Sequence, residues 1–166
     1  MEKVFVDSDI ILDLLAKREP FYQYAAEFFL LVEKERIKAY VSPIIITNLH
    51  YILRKIKNKN QAINSLQKLK LLVNILPVDE KIVELALSSD FNDFEDAIQY
   101  YTAKENGIDY LLTRNKKDFK RADITVMTAE EYLEIFKSTN NLTKDTSNDH
   151  IQLDIPKETE PKEPPK

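Results

Sequence analysis

Five short apolar runs rich in β-branched and aromatic residues punctuate this chain: Val4-Phe5-Val6, residues 39–41, 72–76, 108–113 and 124–127. The stretches between them carry helical spacing, with helices expected over 9–17, 20–36, 43–57, 61–70, 79–88 and 92–106, and a last one opening at 128. Strands that alternate with helices predict a parallel sheet, because parallel neighbours need long crossovers and those crossovers cover both faces. The expected fold class is therefore α/β, a three-layer α/β/α sandwich around a central, mostly parallel sheet. Local signals agree with these boundaries. Pro20 suits a first helical turn, Ser42-Pro43 make a cap and first-turn pair, and Asn58 to Asn60 break the third helix from the fourth. Gly107 stands where a helix end favours a left-handed residue, and Thr128-Ala129-Glu130-Glu131 reads as a capping box.

With 166 residues and 43% hydrophobic content, the chain can bury one core and is too short for two ordinary domains. It has no cysteine, which excludes disulfide scaffolds, thiolate metal sites and cysteine nucleophiles. A single glycine removes the glycine-rich phosphate loops that nucleotide cofactors require. Residues 1–9 lack the basic start and long apolar stretch of a secretory leader, and no apolar run is long enough to cross a bilayer. A cytoplasmic protein without membrane contact is expected. Beyond residue 138 the sequence turns polar and charged, so 1–138 is read as the folded domain and 139–166 as a flexible charged tail. The alternation Ile151, Leu153, Ile155 in that tail has the period of a strand that could pair with a partner. Net charge is −4, half of it in residues 144–166, which leaves a nearly balanced body able to bind RNA only through local basic patches.

The candidate chemistry lies where the first strand stops. Val6 is followed at once by Asp7-Ser8-Asp9, with Asp13 one helical turn beyond. Downstream, Asp93, Glu95 and Asp96 open a helix, and Thr113-Arg114-Asn115 with Asp118 follow the fourth strand. In an open parallel sheet, ligands sit outside the carboxyl ends of the strands, so Asp7, Asp96 and Asn115 or Asp118 are expected to converge on one rim. Clustered carboxylates repel unless a cation stands among them, and hard oxygen ligands suit Mg²⁺ or Mn²⁺. Acids at helix N-termini also serve capping and the helix dipole, which accounts for Asp9, Asp93 and Glu95 without any ligand. Asp7 has fewer structural reasons to be where it is.

At these residues the chain resembles the PIN-domain family, most closely its branch of toxin ribonucleases (VapC-like). Val4-Phe5-Val6-Asp7-Ser8-Asp9 looks like the opening strand motif, Glu95-Asp96-Ala97 like the central acid on a helix, and Leu112-Thr113-Arg114-Asn115 with Asp118-Phe119 like the fourth-strand motif. The resemblance implies that Asp7 and Asp96 are the principal metal ligands, with Asn115 and Asp118 about the fourth acidic position and Thr113 assisting through its hydroxyl. It further implies metal-dependent hydrolysis of RNA to a 5′-phosphate and a 3′-hydroxyl, and an antitoxin protein as partner. Two positions depart from the pattern. Asp9 stands where the family usually has Asn, and Asn48 where many members have Glu, so an oxygen remains at 48 but its charge is gone.

Arg114, Lys116 and Lys117, with Lys120 and Arg121, surround the fourth-strand motif; Arg54, Lys55, Lys57 and Lys59 end the third helix. Both clusters suit phosphate contacts or simply a solvated basic face. His50 reads as a packing residue and His150 lies in the tail. The third helix carries Ile44, Ile45, Ile46, Leu49, Tyr51, Ile52, Leu53 and Ile56, more than one apolar stripe, and Phe28 to Val32 repeat the pattern on the second. A homodimer, an antitoxin groove or complete internal burial each accounts for the excess. Two other function classes compete: a PIN-like RNA- or protein-binding module weakened in catalysis by Asn48, and a haloacid-dehalogenase-like phosphatase, whose opening Asp-x-Asp is similar but whose glycine-rich metal loop is missing.

Overall fold

A computed structural model describes residues 1–120 and 122–146, with side chains through residue 140. The elements run β1 (Glu2–Val6), α1 (Ser8–Leu15), α2 (Tyr22–Glu33), β2 (Ile37–Val41), α3 (Pro43–Ile56), α4 (Lys59–Lys70), β3 (Val73–Ile75), α5 (Glu80–Leu87), α6 (Phe94–Glu105), β4 (Tyr110–Leu112), a short 3₁₀ turn (Lys116–Phe119), β5 (Thr125–Met127) and α7 (Ala129–Thr146). The five strands form one sheet in the order β3-β2-β1-β4-β5, and every neighbouring pair is parallel. Among the described residues seven helices flank it, so the expected three-layer α/β/α architecture is what the chain adopts.

The strand order locates the site. From β1 the chain winds outward through β2 to β3, then returns across the sheet to place β4 on the other side of β1. The reversal leaves a crevice between the carboxyl ends of β1 and β4, the topological switch point at which α/β sheets bind ligands. Val4 pairs with Ala39 on one side and Tyr110 on the other, and Val4, Phe5 and Val6 are fully buried, as a central strand covered on both faces must be. One continuous core surrounds this strand; a smaller cluster of Ile82, Ala86, Ala97 and Ile98 joins α5 to α6. Phe28 of α2 packs edge-on against Phe29 and against Tyr132 of α7, at 5.3 and 5.7 Å between ring centres. That burial is worth roughly 2–3 kcal/mol per ring.

Helix ends show which local signals decided the boundaries. Ser42 Oγ accepts from the Ile45 N–H, and Thr128 with Glu131 exchange the two bonds of a capping box. At the end of α6, Gly107 takes φ +63°, with its N–H bonded to Lys104 O and that of Ile108 to Ala103 O, a Schellman closure. The same pair of bonds closes α1 around Lys17 (φ 50°) and α2 around Glu35 (φ 53°), where a side chain occupies a left-handed backbone. Pro20 departs from expectation: α2 begins at Tyr22, and Pro20 belongs to the turn that reverses the chain after α1. The fourth strand is shorter than expected because the Ile108 N–H is spent on closing α6. On α3, Ile45, Leu49 and Leu53 are fully buried while Tyr51 and Ile56 stay exposed, so internal burial accounts for only part of its apolar surface. Helix α7 continues to Thr146, past the boundary expected at 138. Arg121, His150 and the Ile151, Leu153, Ile155 alternation lie outside the described residues.

Candidate active site

Asp7 is delivered by the end of β1 and also caps α1. Its Oδ1 accepts from the Ser8 N–H at 2.6 Å and lies 3.2 Å from Ser8 Oγ; its Oδ2 accepts from Thr113 Oγ1 at 2.8 Å. Thr113 follows β4, is fully buried, and accepts from the Asn115 N–H at 3.0 Å, so its hydroxyl can point its proton only at an acid. The register of β1 on β4, extended by an Asp7 N–H bond to Leu112 O, makes these two residues neighbours across the switch point. Asp7 is only 8% exposed, and burial raises its pKa despite the hydrogen bonds from Thr113 and Ser8 that lower it.

The opposite wall comes from α6. Asp93 caps that helix, accepting from the N–H groups of Glu95 and Asp96, so its role is structural, as sequence reasoning expected of it. Asp96 has its pKa pushed up to about 7, by burial first and then by the negative charges of Asp93, Asp7, Asp118 and Glu95. Glu95 is raised by burial and by Asp7. Its Oε1 accepts from the Asn48 side-chain amide and from Gln99 Nε2 at 3.1 Å. Beyond β4, the Asn115 amide bonds to Asp118 Oδ2.

The structure thus gathers Asp7, Glu95, Asp96, Thr113 and Asp118 at one rim and brings Asn48 onto Glu95. It gives Asp9 a structural bond, and it turns Arg114 away from the phosphate contact expected of it. Asp9 Oδ2 accepts from the Arg114 backbone N–H at 2.8 Å, tying α1 to the segment after β4, and burial together with Asp7 raises its pKa to about 6. The Arg114 guanidinium, expected at a phosphate, lies over the Phe21 ring at 4.4 Å, with Nε 3.3 Å from Oδ2 of Asp13, a carboxylate only 1% exposed. Lys116 pairs with Glu131 at 2.6 Å, whereas Lys117 and Lys120 line an open crevice of about 190 Å³ with Asp90, Phe91, Asn92 and Asp118. Sequence reasoning missed Gln99, a buried polar residue one turn after Glu95 and one turn before Ala103.

The chemistry of this donor set suits a hard divalent cation: the charge of Asp7 helps raise the pKa of both Glu95 and Asp96, and amides answer Glu95 on the α6 side. Among the described residues no three acidic or histidine side chains form a group that could hold a metal ion by themselves.

Comparison with known proteins agrees. A family model described as a PIN domain matches residues 3–117. Ribonuclease VapC1 of Aquifex aeolicus (strain VF5) is 32% identical over 138 residues, spanning 80% of this chain and 94% of that protein. Among solved structures, DNA-bound VapBC from Salmonella typhimurium superposes with a TM-score of 0.60 at 16% identity, covering 78% of this chain and 99% of that one. VapC20 of Mycobacterium tuberculosis, a toxin that cleaves the sarcin-ricin loop, superposes at 0.59 with 17% identity, covering 74% and 96%. The structural likenesses speak for the fold, while the family match and the VapC1 relative carry the assignment and leave no place for the phosphatase alternative. With its motifs at the switch point and the family match over most of its length, the chain belongs to the PIN-domain family, in the VapC-like branch.

Proposed function

We propose that this chain is a metal-dependent endoribonuclease that hydrolyses RNA phosphodiester bonds, the toxin of a toxin–antitoxin pair acting in the cytoplasm. The observation that carries the reading is the group of mutually repelling acids, Asp7, Asp96 and Asp118, at the β1/β4 switch point. The VapC1 relative is a ribonuclease by name, and solved neighbours include VapBC complexes, which supports RNA as substrate and an antitoxin as partner. Residues 1–138 would carry the activity, with 139–166 as a charged appendage.

Asp7 and Asp96 would hold Mg²⁺ or Mn²⁺, with Asp118 and Asn115 on the far side. When bound, such an ion lowers the pKa of water and offsets charge on the phosphate. Thr113 and Ser8 fix the Asp7 carboxylate in one orientation before substrate arrives. Asp96, its pKa pushed up to about 7 by burial and neighbouring acids, can carry a proton near neutral pH and would hold the ion as a carboxylate. Lys117 and Lys120, which line a crevice with Asp118, would meet RNA phosphates, whereas Arg114 and Lys116 are engaged by acids. The exposed Tyr51 and Ile56 of α3 suit cover by an antitoxin segment, with a homodimer as the other occupant.

The test is incubation of the full chain with end-labelled RNA, with and without Mn²⁺, beside Asp7→Asn. Metal-dependent cleavage leaving 5′-phosphates, lost in the variant, is expected. Equal cleavage by Asp7→Asn would sink the nuclease assignment, and binding without cleavage would mark a weakened binding module.

A further inference from the structure

We propose that the cavity between α1, α2 and the start of α7 is a second binding site, one that takes a small organic cation: a primary ammonium or amidinium on an apolar body the size of one ring, recognised by Asp13. The cavity is about 160 Å³, close to the ~150 Å³ at which an apolar protein cavity accepts one benzene ring. Ile10, Ala25 and Ala129 give it apolar walls and Tyr24 an aromatic one. None of Asp7, Glu95, Asp96 and Asp118 lines it, so binding here is independent of the nuclease reading.

A wholly apolar cavity takes a hydrocarbon, but a buried carboxylate stands in this wall. Asp13 is 1% exposed, and among the described residues no hydrogen-bond donor reaches its Oδ1. Its Oδ2 lies 3.3 Å from Arg114 Nε, and that nitrogen is shared, since it also stands 3.8 Å from Asp9 Oδ2 and hydrogen-bonds to neither. One cation thus faces two carboxylates, and Glu130 brings a third acid to the lining. A buried carboxylate oxygen without a donor is costly, and negative surroundings favour a donor that carries positive charge. An anion would meet three acids, and a neutral hydrocarbon would leave Oδ1 unanswered. The Arg114 guanidinium lies over Phe21 at 4.4 Å and forms part of the wall, so the aromatic contact for a bound ring falls to Tyr24.

The experiment titrates the full ¹⁵N-labelled chain with benzylamine and benzamidine, beside benzyl alcohol and benzoate as neutral and anionic bodies of similar size, and follows amide shifts by NMR. The expected result is saturable binding of both cations with Kd of about 1 mM or tighter and shifts at Ile10, Ala25 and Ala129. Benzyl alcohol should bind about 10-fold more weakly, and benzoate not at all. Asp13→Asn should weaken benzylamine binding about 10-fold or more. Ala25→Leu, which fills the cavity and leaves Asp13 in place, should abolish it; circular dichroism with thermal melting checks that each variant folds. No saturation by benzylamine up to about 10 mM overturns the inference. So do shifts centred on Asp96 and Asp118, benzyl alcohol binding as tightly as benzylamine, or a folded variant of either kind that binds like the parent chain. Should Asp13→Asn fail to fold, Ala25→Leu and the map of shifts decide between the same outcomes.

Discussion

The two walls of the site are built on opposite electrostatic plans. On the β1 side the acids are answered: Asp7 by Ser8 and Thr113, Asp9 by the Arg114 N–H, and Asp13 by the Arg114 guanidinium. On the α6 side, the charges that act most on Asp96 are the acids Asp93, Asp7, Asp118 and Glu95. The first wall is held by the fold itself, and the second is held against its own repulsion by the packing of α6. Asp7 is thus held in place by its hydrogen bonds, whereas the unanswered charge at Asp96 is of the kind tolerated where a cation is to be bound.

That contrast can be broken from either side. The largest effect is expected at Asp96→Asn, which should lower cleavage about 100-fold or more while raising the melting temperature of the metal-free protein, because it removes repulsion. A variant that lost stability along with activity would mean that Asp96 is a structural acid. Arg114→Leu, on the answered wall, should cost about 2–3 kcal/mol in denaturant unfolding, since it strands Asp13 as a buried, unpaired carboxylate. The cost should shrink at low pH, where Asp13 can take a proton.

Acidity should sharpen the picture further. Asp9 and Asp96 hold protons in the folded chain at pH values where the unfolded chain has released them, with folded values of about 6 and 7 against ordinary values near 3.8. Stability without divalent ions should therefore be greatest below pH 4 as far as these groups are concerned, and should fall as pH rises through about 7. Added Mg²⁺ should flatten the fall; melting curves across pH with and without the ion would show it, and identical curves would argue against a cation at the rim. The smallest effect is at a helix end far from this chemistry: Lys17→Gly should stabilise by about 0.5–1 kcal/mol, because it relieves a left-handed residue without touching the Schellman bonds.

What could be read from the sequence was what is local or periodic. Asp7 announces itself by following a buried strand, Gly107 by being the one residue suited to its φ, and Thr128 to Glu131 by their spacing. The convergence of Asp7, Asp96 and Asp118 followed from topology, because parallel strands must present their carboxyl ends together. The side-chain pairings did not follow. Asn48 with Glu95 and Arg114 with Asp9 and Asp13 join residues distant in the chain, and no periodicity encodes which of several polar groups will meet. Arg114 was expected at a phosphate or on a solvated basic face; its guanidinium lies instead over the Phe21 ring with Nε 3.3 Å from Oδ2 of the buried Asp13. Lys17 and Glu35 stayed hidden because tertiary reversal of the chain overrode the preference for glycine.

The central place of β1 has a consequence for how the molecule opens. The Asp7 N–H is bonded to Leu112 O within the inner ladder, so its exchange with solvent deuterium should require separating β1 from β4, an event close to global unfolding. Helix α6 is tied in twice, to α5 through the small cluster of Ile82, Ala86, Ala97 and Ile98 and to the main core through Tyr100 and Ala103. Both walls of the site are thus anchored in the same core, and Asp7 at the end of the innermost strand is its most protected point.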